Sequence, residues 1–242
     1  LLDTVPAKEL QSKHLEAISA LLTVAEEEGN LGETWRRVLS CISPLEKLLS
    51  TPPPSGRPNN AASKDTEDHT PTIEELNAAS VSSKIHSISI DRIFTNSSRL
   101  SDEAIIDFVS SLCQVSKSEL LAPSLATQTR TFCLQKLGEV ADFNISRPKY
   151  VWMTMWDSVS MHFTEAGLHR ARHVALVAVD SLRQVASKLL EKHTVDPAEG
   201  AAFQVALLSP FESMYANPTA DIRDYLICCL AKLMATHYKT VH

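Results

Sequence analysis

Glycine is scarce in this chain, and so are aromatic residues: six glycines in 242 residues, with Phe, Trp and Tyr together at 6%. The twelve prolines cluster in one stretch or stand just before apolar segments. With Ala, Leu, Ser and Glu abundant, that composition argues against sheet and for helix. No basic surplus exists either. The formal charge of -6 is the wrong sign for a protein that neutralises phosphates, which excludes nucleic acid as an expected partner. Cysteine is sparse and odd in number. Cys41, Cys113, Cys133, Cys228 and Cys229 contain no Cys-x-x-Cys and each falls in an apolar helical pattern, so they read as buried reduced thiols. The longest uncharged apolar run, near Val174 to Val179, is too short to span a bilayer. The chain opens Leu1-Leu2-Asp3 with no initiator Met, basic segment or cleavable apolar core. It reads as a cut from a longer polypeptide, with no targeting signal in view.

What is present is helical periodicity. With 44% hydrophobic residues the chain can bury a sizeable core, and 1–242 is read as one helical domain. Apolar residues recur at i, i+3, i+4 spacing through Leu10, Ile18, Leu21, Leu22 and Ala25, with Gly29-Asn30 as a stop. A second helix carries Trp35, Val38, Leu39, Ile42 and Leu45, and Pro44 should kink it or end it early. Residues 51–70 lose the period altogether behind Pro52-Pro53-Pro54 and predict a disordered loop. Thr72-x-x-Glu75 has capping-box spacing. Ser101-Asp102-Glu103 opens a strong helix through Ile105, Phe108 and Leu112. Further helices follow from about Thr127 through Phe132 to Ala141, then on Trp152 to Phe163, Val174 to Leu190, the segment after Asp196-Pro197, and Ile222 to Leu233. About nine or ten helices and no strand are expected. Leu182-Arg183-x-x-Ala186-x-x-x-Leu190 echoes Ile222-Arg223-x-x-Leu226-x-x-x-Leu230 at an offset of 40, close to the period of HEAT and armadillo units. The fold class read from this is an all-α, HEAT/armadillo-like helical solenoid.

Chemistry is harder to find. The chain has no G-x-S-x-G, no phosphate-cradling glycine loop and no H-E-x-x-H, and no cofactor or metal is expected. His169 and His173 stand at i, i+4, a crude metal-ligand spacing, but Arg170 and Arg172 between them oppose a cation. The bland reading is a solvated helix start; the sharper one is a contact for anionic lipid or an acidic partner. Trp152 and Trp156 sit one turn apart and read first as core, with an interface anchor as the alternative. Arg147 and Lys149 suit a polar rim or a pairing with Asp142 or Glu139. Asp180 with Arg183, and Arg223 with Asp221 or Asp224, read as structural ladders between repeats.

Several strings are more specific than periodicity. Asn144-Ile145-Ser146-Arg147-Pro148-Lys149-Tyr150-Val151-Trp152, continuing to Met155-Trp156 and His162-Phe163, resembles a pattern of the large Arf guanine-nucleotide exchange factors. Val179-Asp180-Ser181-Leu182-Arg183-Gln184, Pro210-Phe211-Glu212 and Ile222-Arg223-Asp224 are similar to the segments that follow. Trp35 to Ser43, Asp91-Arg92-Ile93-Phe94 and Ala104 to Val109 extend the likeness upstream. It covers nearly all the chain outside the proline-rich loop. It lies nearest the first homology-downstream-of-Sec-seven domain of the late-Golgi Sec-seven/BIG branch. Ile145 stands where that pattern has Met, Lys149 where it has Arg, and Ser43-Pro44 where it has Ser-Gln.

The resemblance implies a regulatory domain and not an enzyme, since nothing here resembles the catalytic domain that inserts a glutamate finger into Arf. It implies binding of Arf in its GTP state, recruitment of the exchange factor from the cytoplasm to trans-Golgi membranes, and relief of autoinhibition. Other domains of the same exchange factor are further partners, with a membrane surface beside them. The alternative role is an internal scaffold that packs against the catalytic and upstream regulatory domains without touching Arf. Asn144, Arg147, Lys149, Trp152, His169, Arg170 and Arg172 are the candidate partner contacts. Trp156, Phe163, Asp180, Arg183, Phe211, Arg223 and Asp224 are expected to be structural.

Overall fold

The computed structural model describes residues 12–50, 87–122, 129–192 and 197–237. Among these lie nine α-helices, one 3-10 turn and no strand: α1 (Ser12–Glu27), α2 (Thr34–Ser50), α3 (Ser87–Thr95), the 3-10 turn (Asn96–Arg99), α4 (Asp102–Leu121), α5 (Phe132–Phe143), α6 (Lys149–Gly167), α7 (Arg172–Lys192), α8 (Pro197–Met214) and α9 (Ala220–Thr236). The all-α expectation holds. The 51–70 loop and the capping box at Thr72 fall outside the described residues.

The chain divides into two compact units, one of Leu1–Gly29 with Arg37–Ile93, the other of Asn30–Arg36 with Phe94–His242. In the first unit, Ile18, Leu22 and Ala25 of α1 are buried at helical spacing, as are Val38, Leu39, Ile42 and Leu45 of α2 and Ile90 and Ile93 of α3. Arg92 pairs with Glu26 at 3.2 Å. Pro44 does not end its helix: α2 runs through it to Ser50. An interior proline costs about 3 kcal/mol, whereas each fully buried Leu or Ile returns about 1.5–3 kcal/mol, and three of them surround it. The residue that takes the left-handed conformation between α1 and α2 is Gly32, with φ of +48°, rather than Gly29.

The second unit is a two-layer stack. α4, α6 and α8 form one layer, α6 packing on α4 and α8 on α6; α5, α7 and α9 form the other in the same order. The pairs α4–α5, α6–α7 and α8–α9 are hairpins, so the described residues of this unit hold three repeats. Hydrogen bonds between repeats have nearly constant sequence separations. His173 to Thr129 spans 44 residues, His162 to Ser116 spans 46, and Asn217 to Gly167 spans 50. That is the solenoid period written as contacts, slightly longer than the 40-residue echo suggests.

Local chemistry explains the helix ends. Ser101 caps α4, its Oγ accepting from Ala104 N at 3.2 Å, and Asp102 and Glu103 sit in the first turn where the helix dipole favours acids. Asn217 closes the α8–α9 corner. It donates to Gly167 O at 2.7 Å and accepts from Thr219 N at 2.8 Å. Pro210 lies inside α8 and leaves the Ala206 carbonyl without its helical donor. The Trp156 indole N–H fills that vacancy from α6 at 2.8 Å. Trp156, Phe163 and Phe211 are all buried. At the start of the stack Trp35 meets Phe108 edge-on, with centroids 4.7 Å apart.

Candidate functional site

The candidate residues separate into two groups at opposite ends of α6, a helix of 19 residues and therefore about 28 Å long at 1.5 Å per residue. The first group surrounds the α5–α6 corner. Arg147 points inward there. Its Nη2 donates to the carbonyls of Leu100, Ser97 and Ser98 at 2.6, 3.2 and 3.3 Å. Nη1 reaches Asp102 at 2.9 Å and Nε reaches Asn144 Oδ1 at 2.6 Å. Asn144 in turn donates to Ser97 Oγ and Val140 O, and its carbonyl accepts from the Trp152 indole at 2.7 Å. Asn144 and Trp152 are each 1% exposed, so in this conformation they offer a partner no surface. Together these residues lock the 3-10 turn and the start of α4 to the α5–α6 corner. Tyr150, exposed, donates to Asp102 at 2.6 Å, and that acceptor raises its phenol pKa. Lys149 lies with its ammonium 5.9 Å from the Phe203 ring centroid.

The pairings expected here are different ones. Arg147 takes Asp102 rather than Asp142 or Glu139; Asp142 pairs with Lys188 of α7, and Glu139 with Lys136. Arg223 likewise ignores both Asp221 and Asp224 and donates to the carbonyls of Asn217 and Pro218 at 2.8 and 2.9 Å. Asp224 is exposed. Asp180 and Arg183 do pair, at 2.8 Å, but within α7. The link to the next repeat is Tyr225, whose hydroxyl donates to Asp180 at 3.3 Å. Burial works against the Asp180 charge, yet the hydrogen bonds from Arg183, Gln184 and Tyr225 outweigh it and hold its pKa below the usual value. Asp180 and Gln184 border a cleft of about 340 Å³ between α5 and α7, where Gly138 lets Ser181 approach. Tyr225 carries no motif and was invisible to spacing arguments.

The second group lies at the other end, where α4, α6 and α8 finish side by side. Lys117 of α4 pairs with Glu165 of α6 at 2.8 Å, and Gly167 with Asn217 ties α6 to α8. The α6–α7 turn crosses this edge. His169 folds back, its Nδ1 accepting from Ala171 N at 3.0 Å; burial first, then Arg170 and His173, lower its pKa, so it is neutral at pH 7. His173 pairs instead with Thr129 O at 2.7 Å. The two rings therefore serve separate hydrogen bonds, His169 within its own turn and His173 across to Thr129. Arg170 is exposed, and Arg172 reaches toward Asp221 at 3.6 Å with both side chains well exposed. Three apolar side chains stand open on the same edge: Leu121 at 72%, Leu168 at 39% and Tyr215 at 51%. The last residue of one helix and the caps of two others, they fall outside the periodic pattern that sequence reading relies on. Apolar side chains among arginines are a surface suited to a protein or an anionic interface.

Two further observations bear on chemistry. Among the described residues no group of three or more His, Cys, Asp or Glu could hold a metal ion. Among the same residues no helix is long and apolar enough to cross a membrane. The thiols are not all buried: Cys228 is exposed and Cys41 half-buried. Cys113 is pushed up to about 12, mainly by burial, which leaves it unreactive.

No protein-family model matches this sequence. Comparison with characterised proteins is more informative. The chain is 35% identical over 254 residues to brefeldin A-inhibited guanine nucleotide-exchange protein 1 of Homo sapiens, a match covering 93% of this chain and 13% of that protein. The Bos taurus protein of the same name matches to the same extent. Brefeldin A-inhibited guanine nucleotide-exchange protein 3 of Arabidopsis thaliana is 31% identical over 284 residues, covering 96% of this chain and 16% of its own length. The chain thus spans only a small part of the relatives it matches.

Proposed function

From its homology with one segment of the brefeldin A-inhibited exchange proteins, we propose that the chain is a non-catalytic regulatory domain of an Arf guanine-nucleotide exchange factor, the first one downstream of the catalytic domain. It binds Arf in the GTP state, helps to bring the exchange factor to trans-Golgi membranes, and takes part in relieving autoinhibition. The observation that carries this reading is the extent of the match. Nearly the whole chain aligns with proteins named for nucleotide exchange, while filling a small fraction of them.

The surface best suited to the task is the edge bearing Leu121, Leu168, Arg170 and Arg172, since the residues of the other corner are committed to internal bonds. Recruitment by the product GTPase would raise the local concentration of its own activator. Biolayer interferometry with immobilised Arf, loaded with GDP or with a non-hydrolysable GTP analogue, tests this. Binding to the GTP form alone, weakened by Leu168→Glu with Arg170→Glu, is expected. Equal binding to both forms, or none, refutes it. The scaffold reading is favoured by a different feature, the open apolar side of the last hairpin.

A further inference from the structure

The last repeat of the stack leaves one side uncovered. In α7, the side that α9 covers is defined by contacts: Asp180 accepts from Tyr225, and Ser187 pairs with His237 at 3.0 Å. Arg183 and Leu190 lie on that same side, about one and three turns beyond Asp180, and Leu190 is 3% exposed beneath it. The 40-residue echo places Leu182 over Ile222, both fully buried, and so fixes the rotational register of α9 against that of α7. In this register Arg183 corresponds to Arg223, Ser187 to Ile227 and Leu190 to Leu230, with Met234 one turn further. These four α9 positions, spaced 4, 3 and 4, form one stripe. Ile227 is 50% and Met234 45% exposed.

The other helix of the hairpin repeats the pattern. α8 turns Phe203, Ala206 and Met214 toward α6, as the Lys149–Phe203 contact, the Trp156–Ala206 hydrogen bond and the close approach of Met214 to Gly167 define. Its opposite side carries Val205, Leu208, Glu212 and Tyr215, spaced 3, 4 and 3. Val205 is 67% exposed and Tyr215 51%. Both layers therefore end in a mainly apolar stripe on the same side, in the register that the preceding repeats use for stacking. Such a face on both helices at once is what a solenoid repeat presents to its neighbour, whereas a terminal capping repeat carries a polar outer face.

We infer that the α8–α9 side formed by Val205, Leu208, Tyr215, Ile227, Leu230 and Met234 is an inter-repeat stacking face, covered by a further helical hairpin of the same polypeptide. The occupant is argued from continuity with the α6–α8 and α7–α9 interfaces, and from a relative of which the match fills only 13%. Its contacting face is apolar, with a cation placed for Glu212 and an anion for Arg223. The inference rests on the homology and is independent of Arf binding.

The test compares Ile227→Glu with Met234→Glu, made together, in two settings: the 242-residue chain and the full-length natural polypeptide. Both side chains are half-exposed in the chain alone, so its thermal midpoint should stay within a degree or two. In the full polypeptide the pair should expose α9, raising its amide exchange rates by about tenfold or more. Equally small effects in both settings would overturn the inference. So would light scattering that shows the 242-residue chain dimerising at micromolar concentration and the double variant monomeric, because the face would then receive a second copy.

Discussion

Replacing Arg147 should destabilise the second unit strongly, although a surface arginine beside a proline would ordinarily be expendable. Its guanidinium is the common donor to three carbonyls, the Asn144 amide oxygen and Asp102, and the side chain is 11% exposed. Arg147→Ala leaves those acceptors facing a void too enclosed for free hydration. Hydrogen bonds to a charged donor contribute about 1.5–3 kcal/mol each when deleted singly, but they share one group and do not add. The Asp102 carboxylate is 40% exposed, so its ion pair is discounted to under about 1 kcal/mol. A net loss of about 3 kcal/mol follows, equivalent to a fall of about 6–12 °C in the unfolding midpoint for a chain of this size. Arg147→Lys keeps the charge but not the planar fork, and should recover only about 1 kcal/mol of it. Thermal and urea unfolding followed by helical circular dichroism measure both variants. A change below about 0.5 kcal/mol for Arg147→Ala, the range of ordinary surface substitutions, would refute the clamp.

Three other perturbations test the packing. Trp156→Phe strips the shorter donor from the Ala206 carbonyl that lacks its helical partner at Pro210, leaving Ser209 Oγ at 3.5 Å, and should cost about 1–3 kcal/mol. In that background Pro210→Ala restores a backbone N–H and should return part of the loss, a coupling that a double-mutant cycle in urea would read. Gly167→Ala puts a methyl 2.7 Å from Met214 Sδ and should cost about 1–3 kcal/mol, less when Met214→Ala makes room; differential scanning calorimetry of the single and double variants decides. His162 is buried against Ser116 at 2.8 Å, and its pKa is pushed down to about 4, burial lowering it more than Glu165 raises it. The unfolded chain therefore binds the extra proton first. Stability is full above pH 6.5 and falls by about 1 kcal/mol per unit as pH drops toward 4; His162→Gln should flatten that part of a urea-midpoint profile against pH.

The helices are legible in the sequence because burial repeats at helical spacing, and Ser101-Asp102-Glu103 marks a cap by chemistry alone. The two-layer stack is legible through the 182/222 echo, although its contact period is longer than the echo. Helices run on through Pro44 and Pro210, where a local rule cannot weigh one missing hydrogen bond against the buried side chains and, at Pro210, the indole donor that compensate for it. The Arg147 corner misleads in the opposite direction. Asn144 and Arg147 read as candidate contacts in a motif, yet their hydrogen-bond partners include Ser97, Leu100 and Asp102, about 45–50 residues away at the repeat distance, where pattern reading has no reach. Leu121, Leu168 and Tyr215 escape notice for a simpler reason: each ends a helix, where periodicity no longer says which way a side chain faces.

Flotation of the purified chain on Golgi-like liposomes carrying no Arf, Arf-GDP or Arf-GTP tests the proposed function most directly. Enrichment with Arf-GTP alone, reduced by Leu168→Glu and Arg170→Glu, is the predicted result. Equal flotation with bare anionic liposomes, or none under any of the three conditions, would contradict recruitment through activated Arf.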